Sequence, residues 1–198
     1  MGVLDQNDGG VIKIWGTSEN DLYFVGYNGT IVHYNESGWA KIESGTALDI
    51  NDIWGFENNN KNFIKYIPAD NQILRLSSEN VISKITTFEG SVVNSLWAKS
   101  DNLIYCAGDG LTILKNGIWE KPDNSELNLI FRIKASDYNN IAGLSSNREV
   151  YHYNGYTWSG IVTEQNNTFV NVETKQNIIA TVGWQDNKAL ITLLRRNN

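Results

Sequence analysis

Hydrophobic positions along the chain fall in short runs, each closed by a cluster of Gly, Asn, Asp or Ser, and no window keeps a helical period between helix caps. The stretch from Ile14 to Trp39, IWGTSENDLYFVGYNGTIVHYNESGW, shows the order of parts. VIKIWG predicts one strand, Ser18 to Asp21 a turn, LYFVGY a second strand, TIVHYN a third and GWAKIES a fourth. Asn28-Gly29 predicts a two-residue hairpin between the second and third strands, because both residues tolerate the positive φ of a type I′ turn. Asp109-Gly110 takes the same place further along the chain.

The same order of parts recurs in units that start at Ile14, Ile53, Leu96, Arg132 and Val172, so successive starts lie 39, 43, 36 and 40 residues apart by subtraction. A period of about 40 belongs to four-stranded propeller blades. The predicted fold is therefore all-β, a β-propeller of about five four-stranded blades in a single domain over 1–198. Its blade units are 11–49, 50–90, 91–129, 130–168 and 169–198. Five blades either close into a ring or form part of a larger propeller. The fifth unit shows three strands and no Trp-led fourth, so residues 1–10 are the candidate to complete it. An edge left unpaired needs closure or a partner, and a ring not closed by residues 1–10 implies a homo-oligomer.

Trp39, Trp119 and Trp158 open the fourth strand of units one, three and four, and Trp15, Trp54 and Trp97 share one place on the first strand. A bulky residue at a fixed place in each unit is expected to pack between neighbouring blades, because each blade buries both faces.

Composition narrows the functional classes. The 198 residues are 41% hydrophobic with net charge −6 and a sequence pI near 4.9, enough apolar material for a core and no basic footprint for nucleic acid. No apolar run approaches the roughly 20 residues of a spanning helix, and MGVLDQNDGG has neither part of a secretory signal. The chain is thus expected to carry no membrane span, and to be made without a signal or to be a mature or trimmed form. One cysteine, Cys106 in the apolar run LIYCAG, excludes an internal disulfide and a cysteine-based zinc site, and is expected to be buried. His33 and His152 sit at equivalent places three units apart, so they are expected to pack and hydrogen-bond on their own strands and not to share a metal. No metal and no cofactor is expected.

Most carboxylates fall in turns, and none interrupts an apolar run as a glycosidase acid would. No nucleophile elbow, phosphate loop or dinucleotide fingerprint is present. No catalytic residue is assigned, and the chain is expected not to be an enzyme. The loops between second and third strands depart from the repeat and are expected on one face of the fold. They offer ring faces at Tyr27 and Trp184, amide and carboxylate groups at Asn28, Asp109 and Asp186, and a guanidinium at Arg148. These six are the candidate ligand-binding residues, a mixture suited to a protein segment or a glycan.

The blade sequences, together with LDINDIWG, the AGDG at Ala107 and the closing IIATVGWQDNKALITLLRR, resemble the repeat-built β-propeller proteins of bacteria with W-G-T-S-x-N-D-[LV]-Y-x-V-G blades. The resemblance covers essentially the whole chain and is strongest over Val11 to Gly55. Similar blades occur in photosystem-assembly-factor and Asp-box sialidase-like propellers, although YHYNGYTW lacks the leading Ser of an Asp-box. The family is often secreted or lipid-anchored, which implies an extracellular, periplasmic or cell-surface setting. It also implies that Met1 opens a truncated or engineered form. The expected function is a non-enzymatic binding or scaffold module. The alternatives are a lectin-like propeller, although Tyr27, Trp184 and Arg148 do not recur as repeated sugar sites would, and a glycoside hydrolase remnant.

Overall fold

A computed structural model describes residues 2–195 except 124–126, 128–129, 148 and 162–166. The described residues form nineteen strands in five antiparallel sheets, each sheet a simple meander. The first contains β1 (Val11–Ser18), β2 (Asp21–Gly26), β3 (Ile31–Asn35) and β4 (Gly38–Lys41). The second contains β5 (Trp54–Glu57), β6 (Phe63–Ala69), β7 (Gln72–Leu76) and β8 (Ile82–Thr86). The third contains β9 (Val93–Ser100), β10 (Leu103–Gly108), β11 (Gly110–Lys115) and β12 (Ile118–Glu120). The fourth contains β13 (Ile130–Asp137), β14 (Asn140–Ser145), β15 (Val150–Tyr153) and β16 (Trp158–Ile161). The fifth has three strands, β17 (Thr168–Lys175), β18 (Ile178–Gln185) and β19 (Lys188–Arg195).

The turn residues take the φ signs their types allow, although the β2–β3 connection is a three-residue turn, Tyr27–Gly29, between Gly26 and Thr30 and not the expected two-residue hairpin. Asn28 and Gly29 both have positive φ, 53° and 67°, and Asp186 and Asn187 repeat the pattern at 49° and 62° in the fifth sheet. Residues 2–10 carry no strand, and their end docks on the first sheet: Gly9 donates its N–H to Thr30 Oγ1 at 3.0 Å, and Gly10 accepts from the N–H of Tyr27.

The chain divides into two compact units, Met1–Ser100 and Asp101–Asn198. The core of the first gathers Val25, Ile31, Ile50, Ile53, Ile67 and Leu74, with Trp15 packed against it. The core of the second gathers Ala142, Leu144 and Val150 of the fourth sheet with Phe169, Val172 and Ile179 of the fifth.

Three first strands share an irregularity that repeats with the blades. The β1/β2 register slips between Val11 and Lys13, that of β13/β14 between Ile130 and Arg132, and that of β17/β18 between Phe169 and Asn171. Each slip is a bulge, which bends the strand and re-aims the next side chain. Gly26 and Gly183 lie opposite two of these bulges, where a Cβ would overlap the backbone of Gly10 and Thr168 respectively. The recurring Val-Gly at the end of the second strand thus permits the close approach at these two bulges, whereas the third pairs Ile130 with Ser145.

The shared Trp positions divide in two. Trp15 covers Gly55 of the second sheet so closely that a Cβ there would overlap its ring, and Trp54 donates Nε1–H to the carbonyl of Ala98 on β9 at 3.0 Å. Both bridge neighbouring sheets as expected. Trp39 packs on Phe24 and Tyr34 of its own sheet and is 54% exposed, with Gly2, Val3 and Leu4 across a small cleft from it.

Candidate functional site

The candidate residues on the hairpins between second and third strands fall in three places. Tyr27 and Asn28 share the β2–β3 turn, where the Asn28 N–H donates to Asp49 Oδ1 at 3.1 Å and Tyr27 is 47% exposed. Asp109 occupies the single position between β10 and β11, whose ends pair as Gly108 and Gly110. Trp184, also 47% exposed, ends β18 beside Asp186 in the β18–β19 turn. Tyr27 and Asn28 thus share one turn, and Trp184 stands two residues before Asp186 at another. Arg148 lies outside the described residues.

Side chains outside those six form two kinds of polar cluster within the sheets. The first repeats with spacing. In the first sheet Thr17 donates to Asp21 Oδ2 at 2.6 Å, and Asp21 Oδ1 lies 2.7 Å from His33 Nε2. In the fourth sheet Ser136, Asn140 and His152 take the same places: Asn140 Nδ2 donates to Ser136 Oγ at 2.6 Å, and its Oδ1 lies 2.8 Å from His152 Nε2. The His residues hydrogen-bond on their own blades, as expected. Burial pushes the Asp21 carboxyl up, but the hydrogen bonds from Thr17 and His33 outweigh it and leave its pKa below the usual carboxylate value. Beside this trio, Tyr23 stacks on His33 with ring centroids 4.1 Å apart, and Lys65 reaches from β6 to donate to the Tyr23 hydroxyl at 3.1 Å.

The second cluster runs along the first strands at the residue just after the bulge, or at its counterpart. In the first unit, Ser95 donates to Asp52 Oδ2 at 2.8 Å, and Lys13 Nζ is 3.9 Å from Asp52 Oδ1. In the second unit, Arg132 donates to Asn171 Oδ1 at 3.4 Å. Lys13, Asp52, Ser95 and Asn171 each stand one residue before a repeat start, and Arg132 stands at the start of its unit, one residue before Ile133. That polar place was visible in the sequence as a charged, hydroxyl or amide side chain ahead of Ile14, Ile53, Leu96, Ile133 and Val172; the bulge that aims it was not.

Two clefts flank the fourth sheet. One of about 250 Å³ separates Tyr105, Ile113 and Glu120 of the third sheet from Tyr153 and Trp158. The other, about 420 Å³, separates His152, Ser159 and Ile161 from Ile179 and Leu194 of the fifth sheet. Among the described residues no three His, Cys, Asp or Glu side chains stand together as a metal site.

No family model matches the chain, and no curated protein sequence matches it. Solved structures do. A streptogramin B lyase aligns over 97% of this chain and 70% of its own, with TM-score 0.71 and 13% identity. YCF48 bound to D1 peptide aligns over 88% of this chain and 60% of its own, with TM-score 0.64 and 10% identity. The WD40 domain of Neurospora crassa Pan2 aligns over 94% and 61%, with TM-score 0.67 and 14% identity. The fold is a β-propeller. This chain spans less than two thirds of the YCF48 and Pan2 chains. At 10–14% identity these likenesses show the fold alone. The sheets are propeller blades, and their first, inner strands carry the buried polar ladder.

Proposed function

We propose that this propeller is a non-enzymatic binding or scaffold module that engages a protein partner through its turns between second and third strands, in an extracellular or periplasmic setting. One observation carries the reading. His33, Lys65 and Asp52 are paired inside the sheets, whereas the half-exposed aromatics Tyr27 and Trp184 stand at the turns that also carry Asn28 and Asp186. An aromatic ring at a rigid turn offers contact area at little entropic cost, and adjacent amide and carboxylate groups can take a main chain. Structures of this fold include a protein bound to a peptide, YCF48 with D1 peptide, and also lyases, so the fold permits either use.

Trp184 beside Asp186 also favours a second reading, a lectin-like site in which the indole stacks on a sugar face and the carboxylate takes a hydroxyl. Parallel peptide-array and glycan-array screens separate the two. Hits on peptides that Trp184→Ala loses, with unchanged melting temperature, support the protein reading; hits confined to glycans replace it with the lectin. Turnover of a chromogenic glycoside, lost with Asp186→Asn, would replace both with a hydrolase.

A further inference from the structure

One row of cross-strand partners sets the third sheet apart from the other four-stranded sheets. In the first sheet the row runs Tyr23, His33, Ala40, in the second Tyr66, Arg75, Ser83, and in the fourth Ala142, His152, Ser159. Each of these has a basic side chain in the middle and a small residue on the outer strand. The third sheet reverses the pattern with Tyr105, Ile113 and Glu120. Its middle place is apolar, and its outer place holds a carboxylate. Packing explains what recurs, and Glu120 does not recur.

That row lines the cleft of about 250 Å³ whose opposite wall is Tyr153 and Trp158 of the fourth sheet. The Tyr153 and Trp158 rings lie 28° apart in plane with centroids at 5.3 Å, and Tyr105 is set at 46° to Tyr153, 6.2 Å away. The three rings therefore make a corner and not a flat stack. The Tyr153 hydroxyl donates to the carbonyl of Gly155 at 2.9 Å, which fixes its ring. Burial first, then Tyr153 and last the charge of Glu120 hold the Tyr105 phenol up to about 12, so that ring stays neutral. Glu120 is exposed, and Tyr153 and Trp158 are half-buried, so the cleft opens to water. Lys121 also lines it and is exposed. Among the described residues neither Glu120 nor Lys121 enters an ion pair, and Lys121 stands over none of the rings.

We propose that the corner formed by Tyr105, Tyr153 and Trp158, with Glu120 at its side, binds the head group of a small organic cation, a quaternary ammonium. The aromatic rings attract the cation through their π electrons, and Glu120 supplies the countercharge that the three other rows do not offer. The lining selects among cations. A metal ion needs several oxygen ligands and a primary ammonium has three N–H donors to satisfy, whereas this cleft offers one free carboxylate among rings, Ile113 and Pro122. A quaternary ammonium has no N–H and buries its methyl groups against the same rings. The volume lies below the roughly 300–1,000 Å³ of sites that enclose a drug-sized ligand, so the cleft takes a head group and a short stem. The site is independent of the turn-face reading.

The probe is choline chloride, titrated into the intact chain while the indole N–H signals of its seven Trp are followed by NMR. The Trp158 signal, assigned by its loss in Trp158→Leu, is expected to shift saturably while the others stay. The neutral isostere 3,3-dimethyl-1-butanol has the same shape without the charge and is expected to bind at least about tenfold more weakly. Glu120→Gln is expected to weaken choline about threefold or more, and Lys121→Met to strengthen it, because that change removes a like charge beside the site. Glu36→Gln, an exposed carboxylate on the β3–β4 turn, is the control and is expected to change nothing. Glu120 is exposed, so its variant folds even where Trp158→Leu does not, and the wild-type pattern of indole signals verifies this. An acetylated trimethyl-lysine amide run in parallel names the source: tighter binding than choline assigns a methylated protein side chain, and weaker binding assigns a free small molecule. Equal affinity for choline and its neutral isostere, no shift up to about 10 mM, or choline binding untouched by Glu120→Gln overturns the proposal. A shift at other indoles in place of Trp158 overturns it as well.

Discussion

The ammonium of Lys65 lies over the ring of Tyr23, 4.4 Å from its centroid, and donates to its hydroxyl at 3.1 Å. Lys65 is only 2% exposed, and burial lowers its pKa to about 8 against partial opposition from the charges of Asp21 and Glu79. In the unfolded chain the same group titrates near 10.5. Below pH 8 both states hold the proton and the cost of burying the charge is fully present. Between pH 8 and 10.5 the unfolded state holds more protons, so stability rises with pH. Other groups act oppositely at higher pH. Burial raises the Cys106 thiol above its ordinary 9.0; burial, then the charge of Asp21, raises the Tyr23 phenol above 10.0; and burial, then the charge of Tyr153, raises that of Tyr105. The clean window is therefore pH 8 to 9, where stability is expected to rise by about 1 kcal/mol in urea titrations. Lys65→Met should remove that rise. Equal slopes in the two proteins would show that the Lys65 charge is not desolvated.

Asp21 and Asn140 occupy one place in the repeat but are not interchangeable. Asp21 accepts from Thr17 and His33. Asn140 accepts from His152 and donates to Ser136, Thr174 and the carbonyl of Gln176. Asn140→Asp therefore turns a donor toward a carbonyl into a carboxylate facing it, and is expected to cost about 3 kcal/mol. Asp21→Asn keeps one acceptor and should cost about 1 kcal/mol. Denaturant melts at pH 7 that rank the two in the opposite order would refute the assigned roles.

The five units were legible in the sequence because hairpin contacts are local. Asn28-Gly29 and Asp186-Asn187 state their φ signs in their residue types, and each meander then follows from adjacent strands pairing. What joins the blades was less legible. Lys65 meets Tyr23 across 42 residues, and only a lysine inside the apolar run FIKYIPA signalled it. The bulges that precede Lys13, Arg132 and Asn171 add one residue without changing composition, so periodicity could not place them. Trp39 matches Trp158 in sequence position yet differs in described surroundings: Gly2, Val3 and Leu4 lie across a cleft from Trp39, whereas Tyr105, Ile113 and Glu120 of the third sheet lie across one from Trp158. At the candidate site the turn tips were readable one by one, but the clefts beside the fourth sheet were not, since each lies between two sheets.

Gly26 and Gly183 test the pairing of bulge and glycine. A methyl group at either position meets the backbone of the bulged strand, which cannot move without breaking the ladder. Gly183→Ala and Gly26→Ala are each expected to destabilise their unit by about 2 kcal/mol. Gly160→Ala serves as the control, because its Cβ would make only an ordinary contact at 3.7 Å with Tyr151. Thermal melts in which all three variants behave alike would mean that the bulge does not require the glycine.

Asp52 sits fully buried where three groups converge: the N–H of Ile53 at 3.0 Å, the hydroxyl of Ser95 at 2.8 Å and the ammonium of Lys13 at 3.9 Å. Such a carboxylate is held by its donors, and removing it leaves them facing a void with their hydration already lost. Asp52→Ala is expected to cost about 3 kcal/mol. Asp52→Asn keeps an oxygen for Ser95 but loses the charge that Lys13 faces, and should cost about half as much. The partners then distinguish a hydrogen-bonded anchor from an ion pair. If Ser95 matters most, Ser95→Ala costs about 1 kcal/mol at any salt concentration, whereas the Lys13→Met effect is small and fades with salt, since the ammonium is longer in reach and partly exposed. A Lys13→Met loss that exceeds that of Ser95→Ala in urea titrations would instead make the charge pair the main tie between the inner strands of the first two sheets.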